Sequence, residues 1–114
     1  MDLEVFEFVI LRSSASRPDY DEQTAQRLQR EHLAYLTSLD QAGHTVAAGP
    51  LGDPPDQSMR GLVFYRTGSI EEARRLANAD PAIRAGLLEA DVMTWYCLPG
   101  TMRLPGSILH IPDE

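Results

Sequence analysis

The segment from residue 3 to residue 11 is apolar on both of its faces, and this constrains the fold more than any other feature. Alternate side chains of a strand point to opposite sides of a sheet. One side would carry Val5, Val9 and Leu11, and the other Phe6, Phe8 and Ile10. Only Glu7 interrupts the pattern, at a position that would face either a cavity or an exposed edge. A strand of this kind is typical of a sheet that is covered on both sides.

The rest of the chain predicts a fixed order of elements. A helix around His32 ends at Gly43, a second helix is capped by Ser69 and ends near Asn78, and the Asp80-Pro pair stops it. Further strands are predicted over residues 44–50, 59–66 and 88–98, with a loop at 51–58 and a turn at 82–86. The order βαββαβ is that of the ferredoxin-like fold, an α+β protein with a four-stranded antiparallel sheet.

A sheet of this kind needs a second covering layer. Two helices cover only one face of it, yet the first and fourth strands are apolar on both faces. A second copy of the chain would cover the other face, so we expect a homodimer. The 114 residues make one domain, which we place at residues 1–100, followed by a tail at residues 101–114 that is rich in proline and glycine.

The composition excludes several classes of function. With a net charge of -7 and scattered basic residues, nucleic acid is not an expected partner. We expect no membrane partner, because no apolar run approaches the roughly 20 residues that span a bilayer. The single cysteine and the lack of a signal peptide predict a cytoplasmic protein. All ten basic residues are arginine, which excludes a lysine Schiff base and the lysine of a phosphate-binding loop.

His32 lies in the middle of the apolar arc of the first predicted helix. Its neighbours on that arc are Ala25, Leu28, Tyr35, Leu36 and Leu39. A titratable ring on the buried side of a helix must find a polar partner or stay neutral. One interpretation is a general acid or base. The other is a core histidine that is satisfied by a backbone carbonyl.

Asp80 is predicted to lie at the C-terminal end of the second helix. A carboxylate there faces the negative end of the helix dipole, at a cost of about 0.3–1 kcal/mol that a cation or a hydrogen-bond donor would offset. If Asp80 meets His32, it would accept the ring N–H and fix the tautomer, as the orienting carboxylate of a catalytic triad does. The alternative is a turn aspartate before a proline.

Three arginines are candidates for holding an anionic substrate group. Arg12, Arg60 and Arg84 would each bind a carboxylate through two hydrogen bonds. Such arginines also serve as solvated or ion-paired surface residues. The three histidines and Cys97 lack metal-ligand spacing, and no glycine-rich phosphate loop is present. We therefore expect neither a metal nor a cofactor.

Four short motifs, taken together, resemble one family. They are His32-Leu-Ala-Tyr-Leu36, Ala48-Gly-Pro50, Asp80-Pro-Ala-Ile-Arg-Ala-Gly86 and Val92-Met-Thr-Trp95. In this order they resemble the YCII-related (YciI-like) proteins over about residues 3–100, which is nearly the whole domain. The resemblance implies a dimeric α/β-barrel fold and a site built on the family's histidine and on the aspartate of its Asp-Pro motif, here His32 and Asp80. Some members are similar to enzymes that eliminate halide from hydroxylated aromatic rings, and the wider fold includes lactone isomerases and monooxygenases.

The sequence thus predicts cofactor-independent proton transfer, of lyase or isomerase type, on a small cyclic or aromatic metabolite. His32 would move the proton, Asp80 would orient it, and an arginine or backbone donors would hold the developing oxyanion. Two other classes stay open: a non-catalytic module that binds a small molecule in the same cavity, and a structural dimer with a vestigial pocket. An open pocket bordered by both residues would favour an enzyme or a binding module, and a packed interior would favour the structural class.

Overall fold

A four-stranded antiparallel sheet with helices on one face makes up residues 2–103, the part of the chain that the computed structural model describes. The elements are β1 (Glu4–Ser13), α1 (Glu22–Gln41), β2 (Thr45–Pro50), β3 (Met59–Tyr65), α2 (Ile70–Asn78), α3 (Pro81–Arg84) and β4 (Leu88–Cys97). The strand order is β2-β3-β1-β4, with antiparallel neighbours throughout. The predicted ferredoxin-like βαββαβ fold is confirmed. Most of the predicted tail at 101–114, including His110, lies outside the described residues.

Polar caps and a glycine set the ends of the two long helices. Asp21 caps α1, and its carboxylate accepts a hydrogen bond from the backbone N–H of Thr24 at 2.7 Å. Gly43 follows α1 with a φ of 81°, the left-handed conformation that commonly ends a helix. The hydroxyl of Ser69 caps α2 by accepting from the backbone N–H of Glu72 at 3.2 Å. The predicted end of α1 and start of α2 are therefore confirmed.

The predicted turn at residues 82–86 is wrong in one respect, because Pro81–Arg84 form a single helical turn, α3. Proline suits the first position of a helix, where its fixed φ is already helical and no N–H is needed. Four residues are too few to show a periodic apolar pattern, so periodicity does not detect them. Gly86 ends this segment with a φ of 78°.

The core lies between the sheet and the helices. Its buried residues are Val9, Leu11, Leu39, Val63, Tyr65, Ala73, Leu76 and Ala77. Glu7 shares this face of β1 and is only 1% exposed. Its carboxylate accepts hydrogen bonds from the backbone N–H of Thr67, at 2.8 Å, and from the Thr67 hydroxyl. Glu7 is therefore an interior anchor for the loop before α2, and Thr67 supplies the partners that a buried carboxylate requires.

The opposite face of the sheet carries aromatic side chains, which we call the aromatic face: Phe6, Phe8, Phe64 and Trp95. The ring centroids of Phe8 and Phe64 are 5.0 Å apart. Trp95 lies 5.3 Å from Phe64 and 6.0 Å from Phe6, measured between ring centroids. The helices pack on the other face, and Trp95 is 36% exposed. Within the described residues, the prediction that the helices cover only one of two apolar faces is confirmed.

Candidate active site

Helices α1 and α3 bring together the two residues that the sequence singles out. His32 lies on the buried side of α1 and is 6% exposed, and Asp80 immediately precedes α3 and is 2% exposed. The Nδ1 atom of His32 and the Oδ2 atom of Asp80 are 2.6 Å apart, which makes a short charge-assisted hydrogen bond. The expected contact is confirmed. The partner of His32 is a carboxylate and not a backbone carbonyl.

Asp80 uses its two carboxylate oxygens for different partners. Oδ1 accepts a hydrogen bond from the backbone N–H of Ala82 at 2.9 Å, while Oδ2 binds His32. As predicted, Asp80 follows the C-terminal end of α2, but it is also the N-cap of α3, and the backbone N–H groups at a helix start favour negative charge. The fold itself therefore holds the carboxylate in place, in addition to its bond with the imidazole.

The imidazole of His32 lines an open cleft of about 860 Å³ beside α1, β2 and β3. The expectation that both residues border the pocket is wrong for Asp80, which lies behind the ring and does not line the cleft. When the ring is neutral, Nδ1 carries the proton that it donates to the carboxylate, and Nε2 carries the lone pair. Nε2 is thus the nitrogen available to a molecule in the cleft. A general-base histidine that is oriented by a carboxylate, as in a catalytic triad, has the same geometry.

Two tyrosines border the buried pair. The Tyr35 hydroxyl donates to the backbone carbonyl of Leu76 at 2.6 Å. Burial raises the pKa of Tyr35, and the negative charge of Asp80 adds to the rise. Burial also raises the pKa of Tyr65, which is almost fully enclosed. Both phenols stay neutral at neutral pH, so Asp80 is the group that supplies negative charge beside the imidazole.

The three candidate arginines occupy different surroundings. Arg60 lines the same cleft as the imidazole. The Arg12 guanidinium instead binds Asp91 at 2.6 Å and Asp56 at 3.2 Å, and the hydrogen bond to Asp91 is the main reason that the pKa of Arg12 is raised. Arg84 is exposed on α3 and does not line the cleft. Anchoring of a substrate by these arginines stays a prediction, and Arg60 has the placement for it.

A β-bulge accompanies the placement of Arg60. Leu11 pairs with Gly61, and the next residue of β1, Arg12, pairs with Met59. Arg60 is therefore an extra residue on β3 without a partner on β1. A bulge bends its strand and redirects a side chain. The alternation of the sequence does not reveal such a position, because a bulge exists only in the pairing of two strands.

Arg17 and a polar stripe on α1 also line the cleft, although the apolar arc of α1 does not reveal them. The stripe consists of Gln29, Thr37 and Asp40. Gln29 lies three residues before His32, and Asp40 lies three residues after Thr37. A search for polar residues at helical spacing would therefore have found part of this stripe. No local pattern marks Arg17, which belongs to the loop between β1 and α1.

Two other kinds of site receive no support from residues 2–103. No three histidine, cysteine, aspartate or glutamate side chains cluster there as metal ligands would. No helix in the same range has the length and apolarity needed to cross a membrane.

Cys97 is buried, and its Sγ lies 3.2 Å from the Thr101 hydroxyl. The cleft beside His32 is therefore the best supported place for chemistry.

The family follows from a match over most of the chain. A model of the YCII-related domain matches residues 8–96, a span that contains both His32 and Asp80. The chain belongs to the YCII-related domain family. A comparison with curated protein sequences gives no match.

Two solved structures share the fold of this YCII-related protein. One is 5-chloro-2-hydroxyhydroquinone dehydrochlorinase (TftG) from Burkholderia phenoliruptrix AC1100, in complex with 2,5-dihydroxybenzoquinone. It is 26% identical, with a TM-score of 0.53, over 78% of this chain and 92% of that chain. The other is muconolactone isomerase, 17% identical with a TM-score of 0.60, over 97% of this chain and 100% of that chain. Their shared fold confirms the predicted fold class.

Proposed function

We propose that this YCII-related protein moves a proton on a small cyclic or aromatic metabolite, as a cofactor-independent lyase or isomerase. The observation that carries the proposal is the buried 2.6 Å hydrogen bond between His32 and Asp80 beside an open cleft. A histidine that only filled the core would not need a carboxylate partner next to open space. The cleft also argues against a purely structural role.

His32 would act first as a general base and then as a general acid. Nε2 takes a proton from a ring carbon or hydroxyl of the substrate, and the electron pair of that bond moves into the ring as an enolate. In an isomerisation, the imidazolium returns the proton to another carbon. In an elimination, the imidazolium first returns the proton to the ring carbon that bears a leaving group such as halide, which makes that carbon tetrahedral. His32 then removes the proton of a second ring hydroxyl, the electron pair of that bond moves through the ring and expels the halide, and the imidazolium gives its proton to water. Neither path needs an oxidant, and proton transfer of this kind contributes about 10²–10⁴-fold to a rate.

Asp80 is a positioning residue in this scheme, because it acts through His32. Its carboxylate keeps the proton of the neutral imidazole on Nδ1, so that the lone pair of Nε2 faces the substrate. After the proton transfer, its negative charge stabilises the imidazolium. Burial strengthens this attraction, since charges interact more strongly where water is excluded.

A related structure supports a hydroxylated ring as the substrate class. TftG is named for the dehydrochlorination of 5-chloro-2-hydroxyhydroquinone and was solved with 2,5-dihydroxybenzoquinone. Loss of hydrogen chloride from such a ring is an elimination of the kind that a base on His32 would begin. A cleft of about 860 Å³ is ample for a ligand of this size.

We also propose a cytoplasmic homodimer whose sheets stack through the aromatic face. Four aromatic rings lie together on that face without a helix over them in the described residues. An exposed apolar patch of this kind is unusual on a monomer. The single cysteine suits the reducing conditions of the cytoplasm.

A turnover assay with hydroxylated ring compounds tests the proposal. With 5-chloro-2-hydroxyhydroquinone, chloride release and the ultraviolet spectrum of the product report elimination. We expect the native protein to turn over a compound of this class and His32→Ala to be about 10²–10⁴-fold slower. His44→Ala is the matched control, since His44 is the other described histidine and does not line the cleft. Binding of these compounds by the native protein without any turnover would contradict catalysis and support a non-catalytic binding module.

A further inference from the structure

The cleft beside His32 carries positive charge although the chain is acidic. The net charge of the chain is -7. The charged side chains of the cleft lining, apart from the imidazole, are two arginines and one aspartate: Arg17, Arg60 and Asp40. A cleft with apolar walls and an excess of one charge attracts ligands of the opposite charge, because low-dielectric walls focus the field. The local charge therefore favours an anion where the rest of the surface repels one.

Neither cleft arginine is occupied by a carboxylate of the described residues. Three other arginines form such pairs at 3.2 Å or less, namely Arg12, Arg27 and Arg75. Within residues 2–103, Arg17 and Arg60 have no ion pair. A guanidinium offers planar N–H donors that match the two oxygens of a carboxylate. These donors are available to an anion that enters the cleft.

The loop that carries Arg17 is fixed on both sides against the segment that follows Asp80. The Tyr20 hydroxyl donates to the backbone carbonyl of Ala85 at 2.7 Å. The backbone N–H of Ser14 donates to the carbonyl of Leu87 at 3.1 Å. The same short segment therefore positions the carboxylate behind His32 and the backbone of Arg17. A ligand that binds both groups meets a backbone that is already ordered, which lowers the entropic cost of binding.

We infer that the cleft selects small rings that carry an anionic group, and that Arg17 and Arg60 bind this group. Arg17 comes from a loop, Arg60 from a β-bulge and His32 from α1, so polar groups of three elements converge on one cleft. The anionic group is a carboxylate or an ionised hydroxyl, since both present oxygen acceptors to a guanidinium. The inference rests on the proposed function only in placing the reacting part of the ring at His32.

Binding of benzoate and benzamide, which share a ring and differ in charge, tests the inference without turnover. We expect titration calorimetry to show tighter binding of benzoate by the native protein. Arg17→Gln and Arg60→Gln should each weaken benzoate binding about fivefold and leave benzamide binding unchanged. Added salt should weaken the binding of benzoate alone. Arg74→Gln is the matched control, because Arg74 is exposed on α2, lies outside the cleft lining and loses the same charge.

Three results would overturn the inference: equal affinity of the native protein for both probes, no binding of benzoate, or an equal loss in Arg74→Gln. The variant His32→Ala separates the inference from the proposed function, because its preference for benzoate should persist while turnover is lost. An arginine-dependent preference without turnover of any ring compound means that the proposed function fails and the inference stands. If turnover depends on His32 but the protein shows no preference for benzoate, the proposed function stands and the inference fails.

Discussion

At the scale of single residues, Asp80 has two roles: one carboxylate oxygen caps α3, and the other orients His32. We expect Asp80→Asn to keep the cap and to abolish the orientation of the base. The amide oxygen can still accept from the Ala82 N–H, so the free energy of unfolding should fall by no more than about 1 kcal/mol. The amide NH₂ would donate to Nδ1 of His32, which forces the imidazole proton onto Nε2 and removes the base. Turnover should therefore fall by about 10²–10⁴-fold.

Asp80→Ala provides the comparison for that variant. It removes the cap of α3 and leaves the Nδ1–H of His32 buried without an acceptor, so a further loss of about 1–3 kcal/mol is expected. Denaturant unfolding measures the stability of both variants, and the turnover assay measures their activity. Native turnover in Asp80→Asn would show that the carboxylate does not orient the base.

Gly86 is required where the segment after α3 meets the loop that carries Arg17. Its φ is 78°, and a Cβ placed on it would lie 3.2 Å from Cδ of Pro18. Gly68 has a φ of 80° with nothing within 4 Å of such a Cβ. We expect Gly68→Ala to lower the free energy of unfolding by about 1 kcal/mol, because only the backbone conformation is unfavourable for alanine. Gly86→Ala should lower it by about 2 kcal/mol, because its Cβ would also crowd Pro18. Equal losses in denaturant unfolding would mean that the proline moves aside freely.

At the scale of elements, the start of α1 makes stability depend on pH. Hydrogen bonds from Thr24, first from its side chain and then from its backbone N–H, lower the pKa of Asp21 below the ordinary 3.8. The folded-state pKa is therefore lower than the unfolded-state pKa. The resulting stabilisation is fully present above the unfolded value and is lost as the pH falls through the folded value.

We expect Asp21→Asn to keep the cap, because asparagine caps helices as well as aspartate does. The variant should lose less stability than the native protein as the pH falls below 3.8, the ordinary value of the Asp21 carboxyl. Chemical unfolding over a pH series measures the difference. Asp19→Asn, at an exposed position of the same loop, is the control and should follow the native curve. Parallel losses in native protein and Asp21→Asn would remove Asp21 as a source of the pH dependence.

Elements with a clear repeat could be predicted from the sequence, and the irregular ones could not. The two apolar faces of β1 and the apolar arc of α1 follow from local spacing, since strands repeat every two residues and helices every 3.6. Helix α3 is a single turn, so its apolar pattern cannot repeat. The bulge at Arg60 depends on how β1 and β3 pair, which neither strand encodes alone.

The residues of the candidate site also fall into those that the sequence could predict and those that it could not. His32 could be found because a titratable ring interrupts an apolar arc, and Asp80 because it lies at the end of the second helix and matches the Asp-Pro motif of the family. Arg17 could not be found, because its place depends on bonds such as that from Tyr20 to Ala85, which are 65 positions apart in the chain. Long-range contacts of this kind leave no trace in local spacing.

At the scale of the whole molecule, the aromatic face predicts self-association. We expect light scattering at micromolar concentration to give about twice the chain mass of 12.7 kDa. Trp95→Glu should give monomers, because a carboxylate buried between two sheets would lose its hydration without gaining a partner. Leu33→Glu is the control, since Leu33 is exposed on α1 in the opposite layer, and it should leave the dimer intact. A mass near 12.7 kDa for the native protein would contradict the dimer.

Because one oxygen of Asp80 caps a helix, selection for folding alone would preserve this residue in a lineage that had abandoned the chemistry. Within the described residues, replacing His32 gives up the one hydrogen bond to Asp80, whereas replacing Asp80 gives up both that bond and the cap of α3, so the histidine is the less costly of the two to lose once activity ceases to matter. A relative that keeps the aspartate and lacks the histidine would then be a folded descendant without the reaction. The residue at position 32, more than the residue at position 80, should therefore separate active from inactive lineages of the family.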